Sequence, residues 1–475
     1  MPMSDSSDGG SGASTFVLLL GILALAWAAT WVLPKGAYER EVGDDGRQRV
    51  VAGTYAAIPD EERRNLGPQA IALAVPVGLD RAREVLFFIL IVGGAFRVLR
   101  ETGAAEAAIG HVLRRFGRYR NQLLLAGLAV FAAGSSTIGM AEEYLPFVPV
   151  LVLFGLGLGL DRTAAVGIVI IGAAVGYGTA VINPFTLLVA QGICELPPTS
   201  GMTYRLLLTV PFLLLAFDHL RRHANRLDRA RSAAAERDRT SHGDEGAKSE
   251  DRDEAAHTPP PMTIRRGLIL GCLVLAIAGI VVGVKFDDWH LHEMMALFLA
   301  AAVCIGIVGG LGASQMAGLF ARGASELAPT ALLIGFAYAI LVLLENGQVV
   351  DSVIHGIAIP LEQLGGGLAA VGMLAVQSVC NVIVPSGSGQ AGVTMPIMAA
   401  VADLTGVSRQ TAVLAFQFGD GLTNMIVPTN VVLLGMLSMA GVTYGQWVRF
   451  VWPLVVRMLL LAALALLVAV WFGYQ

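Results

Sequence analysis

Apolar residues run along this chain in stretches of about 20, the length that crosses a bilayer as helix, and not in the two-residue alternation of half-buried strands. Such runs lie at 15–33, 85–98, 164–191, 204–220, 268–284, 294–310, 327–344, 411–439 and 448–472, which predicts roughly nine crossings. Two more apolar segments, 122–160 and 368–402, carry a polar interruption. Their length suits a helix, a Gly/Ser tip and a second helix, a hairpin that enters the membrane and returns to the same side. Two of the long runs are broken as well, at Tyr177-Gly178-Thr179 to Asn183-Pro184 and at Gly419-Asp420-Gly421-Leu422-Thr423-Asn424. A proline cannot supply the N–H that a continuing helix needs.

The interruptions come in matched pairs. Ser136, Gly139 and Pro146 are echoed at one constant offset by Ser386, Gly389 and Pro396, and Arg162-Thr163-Ala164 by Arg409-Gln410-Thr411. Thr179 to Pro184 is echoed by Thr423 to Pro428, and Glu101-Thr102-Gly103 by Glu345-Asn346-Gly347. Matched Gly/Pro-interrupted segments in two halves point to the binding site of a secondary transporter. The predicted fold is an all-α polytopic membrane protein, an inverted-topology repeat with two re-entrant helical hairpins and two broken transmembrane helices.

Charge orients the halves. Arg97, Arg100, Arg114, Arg115, Arg118 and Arg120 precede the first hairpin, and the 221–261 loop is rich in arginine, so both are expected in the cytoplasm. The segment before the second hairpin, 348–367, has no Lys or Arg and is expected outside. The resulting division is a disordered cytoplasmic tail (1–14), a first helix with an extracytoplasmic loop (15–83), a first repeat (84–220), a cytoplasmic linker (221–263), scaffold helices (264–326) and a second repeat (327–475). The N-terminus is placed in the cytoplasm, the C-terminus outside, and the protein in the inner membrane of the cell.

Composition agrees with a bilayer as solvent: 55% of the 475 residues are hydrophobic, 14% are charged, and the mean hydropathy is +0.68. The net charge of −4 says little about partners, and basic residues confined to loops beside helix ends give no support for nucleic-acid binding. Cys194, Cys272, Cys304 and Cys380 form no CxxC pair and read as apolar fillers. His292-Glu293-Met294-Met295-Ala296 opens like a zinc-protease motif but has alanine where the second histidine is required. No Walker A sequence is present, so neither an enzyme nor a nucleotide-driven pump is expected.

Broken backbone inside lipid is tolerable where protein or a water-filled cavity surrounds it. The two tips, Gly134-Ser135-Ser136-Thr137 and Ser386-Gly387-Ser388-Gly389-Gln390, expose backbone and hydroxyl oxygens, and helix ends beside them suit ions of either sign. The alternative is that small residues there serve close helix packing. Glu142, Glu143 and Asp420 fall in or next to the interruptions, where carboxylates at membrane depth are costly and functional by default. Thr179 and Asn183 in the first break, and Thr423 and Asn424 in the second, complete the candidate set. Asp420 has no acidic counterpart, since its repeat partner is Ala173. Glu101 and Glu345 are read as structural.

The strings at 135–143 (SSTIGMAEE), 385–397 (PSGSGQAGVTMPI) and 410–428 (QTAVLAFQFGDGLTNMIVP) resemble the YfcC-like carriers of the C4-dicarboxylate carrier and arginine/ornithine antiporter group, within the ion transporter superfamily. The resemblance implies an inverted-repeat carrier, a homodimer with a scaffold domain and a mobile transport domain. Matching positions imply Ser135, Ser136, Thr137, Ser386, Ser388, Thr423 and Asn424 as ligands. The expected function is secondary active transport of a small charged metabolite, an amino acid above all, by alternating access with cation coupling or exchange. No cofactor is expected beyond a coupling sodium ion or proton. The charge sign of the tips and breaks, which hold acids and no Lys or Arg, favours that substrate over a C4-dicarboxylate, although paired helix N-termini hold carboxylates too. An ion channel is the competing class, and it would need a continuous polar pore.

Overall fold

The computed structural model describes residues 9–42, 48–241, 260–286 and 289–475. In chain order the helices are α1 (Gly9–Val32), α2 (Gln69–Arg81), α3 (Arg83–Glu101), α4 (Ala104–Phe116), α5 (Arg120–Thr137), α6 (Val148–Gly157), α7 (Arg162–Gly178), α8 (Leu187–Ile193) and α9 (Met202–Ser241). They continue as α10 (Ile264–Phe286), α11 (Leu291–Val308), α12 (Ala313–Asn346), α13 (Val350–Ala358), α14 (Gly366–Ile383), α15 (Gly387–Thr405), α16 (Arg409–Thr423), α17 (Val431–Ala440) and α18 (Tyr444–Phe472). Between α1 and α2 lie four short strands, β1 (Gly36–Ala37), β2 (Arg40–Val42), β3 (Gln48–Val50) and β4 (Ala56–Ala57), so the fold is not purely helical. They pair antiparallel, β1 with β4 and β2 with β3.

Among the described residues, five helical segments are long and apolar enough to cross a bilayer: 202–234, 291–308, 313–346, 366–383 and 444–472. Their outer faces carry the large apolar side chains a soluble protein would bury, with Trp471 86% and Ile307 65% exposed. The chain is a multi-pass membrane protein.

The helices form two packed groups. Around α12 lie α1, α2 and α3, with α11 on α3. Glycines bring these axes close: a side chain at Gly78 would meet the backbone of Gly335 and Ala339, and one at Gly93 the carbonyl of Gly323. Arg97 pairs with Glu326 at 3.3 Å and Arg81 with Glu345 at 2.8 Å, one antiparallel zipper from end to end. In the second group α7 packs on α16, α5 on α7, and α14 on α16. Helices α7 and α16 start alike, capped by the side chains of Asp161 (to the Ala164 N–H, 2.9 Å) and Ser408 (to the Thr411 N–H, 3.1 Å), which precede the repeated Arg162 and Arg409. Burial pushes Asp161 up, but the hydrogen bonds from His223 and the Ala164 amide outweigh it and hold the carboxyl below its ordinary range.

Several expected boundaries shift. Helix α1 begins at Gly9, so 9–14 are its first turns and not a disordered tail; residues 1–8 lie outside the described residues. The expected loop of 15–83 contains α2, which runs into α3 with helical backbone at Ala82. The charged Asp80, Arg81, Arg83 and Glu84 read as the edge of a loop but sit inside this bent helix. Helix α9 continues to Ser241, so 221–241 is helical and not a loop. Its Ala/Arg/Leu/Glu composition favours helix, and Asp228 pairs with Arg120 at 2.7 Å. Residues 242–259 lie outside the described residues. The division at 326/327 falls within α12.

Candidate functional site at the helix breaks

Each interrupted segment is held by its own polar side chains. Helix α5 stops at Thr137 and the chain turns through Gly139, whose φ of +79° is a conformation open to glycine, before a 3-10 turn at Glu142–Phe147 leads into α6. Helix α14 stops at Ile383, and α15 starts three residues later with Ser386 as its cap. The break after α7 is bonded to the first tip: the Val181 and Ile182 N–H groups donate to the Ser136 carbonyl, and the Asn183 amide to the Ser135 carbonyl at 2.8 Å. The break after α16 is bonded to the second hairpin by Thr429, which donates to the Val382 carbonyl at 2.7 Å, and by Asn381, which donates to Thr423 at 2.8 Å and to the Asp420 carbonyl at 3.1 Å. This satisfies backbone that a lipid core would leave unpaired.

The two breaks cross. A side chain at Gly421 would meet the Tyr177 carbonyl carbon at 2.8 Å and the Gly178 Cα at 2.9 Å. At this crossing the tips close on a cavity of about 750 Å³ between the two helix groups. One wall is made by Gly139, Glu142 and Glu143 of the first tip, Ser386, Gly387 and Ser388 of the second, and Tyr177, Thr186, Asp420 and Asn424 of the breaks. The other is made by Arg81, Arg83, Glu84, His290, Leu291 and Tyr338.

Of the sequence-predicted residues, Glu142, Glu143, Ser386, Ser388, Asp420 and Asn424 therefore share one cavity. Asp420 is 1% exposed; its Oδ1 accepts from the Asn424 amide at 3.2 Å and its Oδ2 lies beside Gly387, at the positive end of α15. Glu142 is exposed to the cavity, and neither it nor Asp420 has a basic partner among the described residues. Glu143 accepts the Ala141 N–H at 2.8 Å and so braces the tip. The remaining candidates do not line the cavity. Ser135 donates to the Tyr144 hydroxyl at 3.0 Å, Ser136 accepts from Val181, and Thr137 turns to its own helix at Ala133. Thr179 donates to the Val175 carbonyl, Thr423 to the Gly419 carbonyl, and Gln390 to Gln377 at 2.7 Å.

Sequence reading missed Tyr177, which donates to the Gly139 carbonyl at 2.7 Å and lies within electrostatic reach of Glu142, Glu143 and Asp420. It also missed Asn381, whose spacing from Gln377 puts two buried amides on one face of an otherwise apolar helix. The site has basic groups after all: no Lys or Arg lies in a tip or break, but Arg81 and Arg83 face the cavity from the opposite wall. They are paired, with Glu345 at 2.8 Å and Asp80 at 3.4 Å.

Residues 13–471 match the DcuC family, described as C4-dicarboxylate anaerobic carrier. The chain belongs to this family. The membership bears out the resemblance read from the tip and break strings and makes the chain a secondary transporter. The chain is 30% identical, over 97% of both sequences, to an Escherichia coli protein named "Putative basic amino acid antiporter YfcC". It is 27% identical, over 96% of both, to a Haemophilus influenzae protein. Two solved structures are similar to it: the YdaH transporter of Alcanivorax borkumensis (TM-score 0.41, 15% identity, 97% of this chain and 99% of that one) and MtrF of Neisseria gonorrhoeae (TM-score 0.40, 17% identity, 96% and 94%).

Proposed function

We propose that this carrier moves a basic amino acid across the inner membrane by alternating access, in exchange or coupled to sodium or a proton. The observation that carries the reading is two carboxylates, Glu142 and Asp420, that have no basic partner among the described residues and share a cavity whose arginines, Arg81 and Arg83, are already paired. An ammonium or guanidinium group in the cavity would meet both acids. The substrate carboxylate would lie at the N-terminus of α15, where Ser386, Gly387 and Ser388 offer backbone and hydroxyl donors. The name of the E. coli relative supports the same class. The family description and the α15 terminus support a second reading, C4-dicarboxylate transport, in which Arg81 and Arg83 exchange partners to receive a second carboxylate.

An inverted repeat with re-entrant hairpins fits this reading. The base of the first hairpin, at Arg120 and Gly159, bonds to Asp228 and Arg231 of α9. The base of the second, at Asp403, pairs with Arg409, which also holds Glu195. With the N-terminus in the cytoplasm these bases lie on opposite sides and the tips meet between them. The carrier is proposed to work as a homodimer.

The test is uptake of radiolabelled arginine into proteoliposomes preloaded with unlabelled ornithine or with succinate. Saturable arginine uptake, accelerated by internal ornithine and absent for labelled succinate, is expected. Succinate uptake without arginine uptake would overturn the amino acid reading, and non-saturating, voltage-driven current would mark a channel.

A further inference from the structure

Helix α9 carries a buried arginine that the binding cavity does not use. Arg205 is 0% exposed; its Nε donates to the Ala180 carbonyl at 2.6 Å and its Nη1 to the Tyr474 hydroxyl at 2.9 Å. Tyr474, also buried, donates to the Gly201 carbonyl at 2.7 Å and accepts from Gln410 at 3.4 Å. One turn along α9, Thr209 donates to Thr179 at 2.9 Å. The first two residues of the break, Thr179 and Ala180, are thus tied to α9, while Val181, Ile182 and Asn183 are tied to the tip of the first hairpin. The corresponding carbonyl of the second break, Asn424, accepts from the neutral Asn430 amide at 3.2 Å, and the next two, Met425 and Ile426, from the Trp447 indole at 2.7 Å and the Tyr444 hydroxyl at 2.5 Å. A buried charge is expensive where a neutral donor does the mechanical work. It suits the end of α7, whose carbonyls carry partial negative charge, because a charge-assisted bond is roughly twice as strong as a neutral one.

We propose that Arg205 is a positioning residue: with Tyr474 it fixes the first helix break and, through that break, the hairpin tip that holds Glu142 and Glu143 in the cavity wall. The role rests on the cavity being the transport site. Its test has one readout that does not depend on substrate. Hydrogen exchange on the purified full-length protein is compared for wild type, Arg205→Met, Arg205→Lys and Tyr474→Phe. Arg205→Met speeds exchange of peptides spanning 134–143 and 179–186 about tenfold and leaves 424–430 at the wild-type rate. Arg205→Lys, which keeps a charged donor to Ala180, restores part of the protection. Tyr474→Phe loosens the same peptides by less. In proteoliposomes the half-saturating arginine concentration rises about tenfold in Arg205→Met, with a smaller change in maximal rate. Wild-type exchange in both first-half peptides, or equal loosening at 424–430, overturns the proposal, the second outcome making Arg205 a general stabiliser. If Arg205→Met does not fold, Tyr474→Phe, which removes one oxygen, decides by the same peptides. A wild-type protein that takes up no arginine would sink the transport reading and leave the exchange result standing.

Discussion

Asp420 is the residue on which the chemistry of the cavity turns. Its carboxylate is buried, touches one amide at 3.2 Å and lies beside the start of α15, with no basic partner among the described residues. A charge so placed costs folding energy unless a ligand completes it. Asp420→Asn keeps the shape and removes the charge, so the thermal midpoint of the empty protein should hold or rise. Arginine uptake at low concentration should fall about tenfold or more, the equivalent of one charge-assisted hydrogen bond. Uptake and melting measured on the same preparation check both halves; an unchanged rate would make the carboxylate structural. Asp420 was legible in the sequence because an acid in an apolar run is conspicuous. Asn381 and Tyr177 were not: an amide or a phenol in an apolar helix shows its meaning when the fold brings Thr423 or Gly139 to it.

At the scale of elements, a close joint is the crossing of α7 and α16 at Gly178 and Gly421. A methyl group at 421 would press on backbone at 2.8–2.9 Å, which cannot move aside like the end of a side chain. Gly421→Ala should therefore destabilise the protein by about 1–3 kcal/mol, the range for overpacking. Gly192→Ala, in α8 with nothing near its missing methyl group, should melt like wild type. A matched pair of melting curves in detergent decides the point, and equal curves would mean that the crossing is slack. The tips and breaks were readable because glycine, proline and hydroxyl residues interrupt apolar runs at matched places. Helix α2 was hidden by its own charges: Asp80, Arg81, Arg83 and Glu84 look like the edge of a loop, and that they face a cavity is a tertiary fact.

At the scale of the whole molecule, the segment that carries β1 to β4 shares one end with α13. Arg40 pairs with Asp351 at 2.9 Å, Tyr55 donates to Ser352 at 2.9 Å, and the Tyr55 ring stacks on His355 at 3.8 Å. The Arg120–Asp228 and Arg231–Gly159 bonds gather another set of loops. Single cysteines at Gln363 and Arg226, in a protein with the four native cysteines replaced, should react from opposite sides of sealed vesicles with an impermeant maleimide. Labelling of both from one side would end the inverted arrangement. Charge bias along the sequence carried that expectation, because arginine counts beside helix ends are local. Which helices group around α12 and which around the α7–α16 crossing was not legible, since packing partners lie far apart in the chain.

The link between Arg205 and Tyr474 also sets an order in time. The two residues are 269 positions apart, so at roughly 5–20 residues per second of synthesis the guanidinium exists for roughly 15–50 s before its phenol is made. Over most of that interval Gly178 has no Gly421 to close against. The nascent first half therefore enters the bilayer with its break already bonded to the first tip and to Arg205, but with the second donor of that guanidinium still lacking its phenol, and until the last helix is in place water or the insertion machinery must complete it.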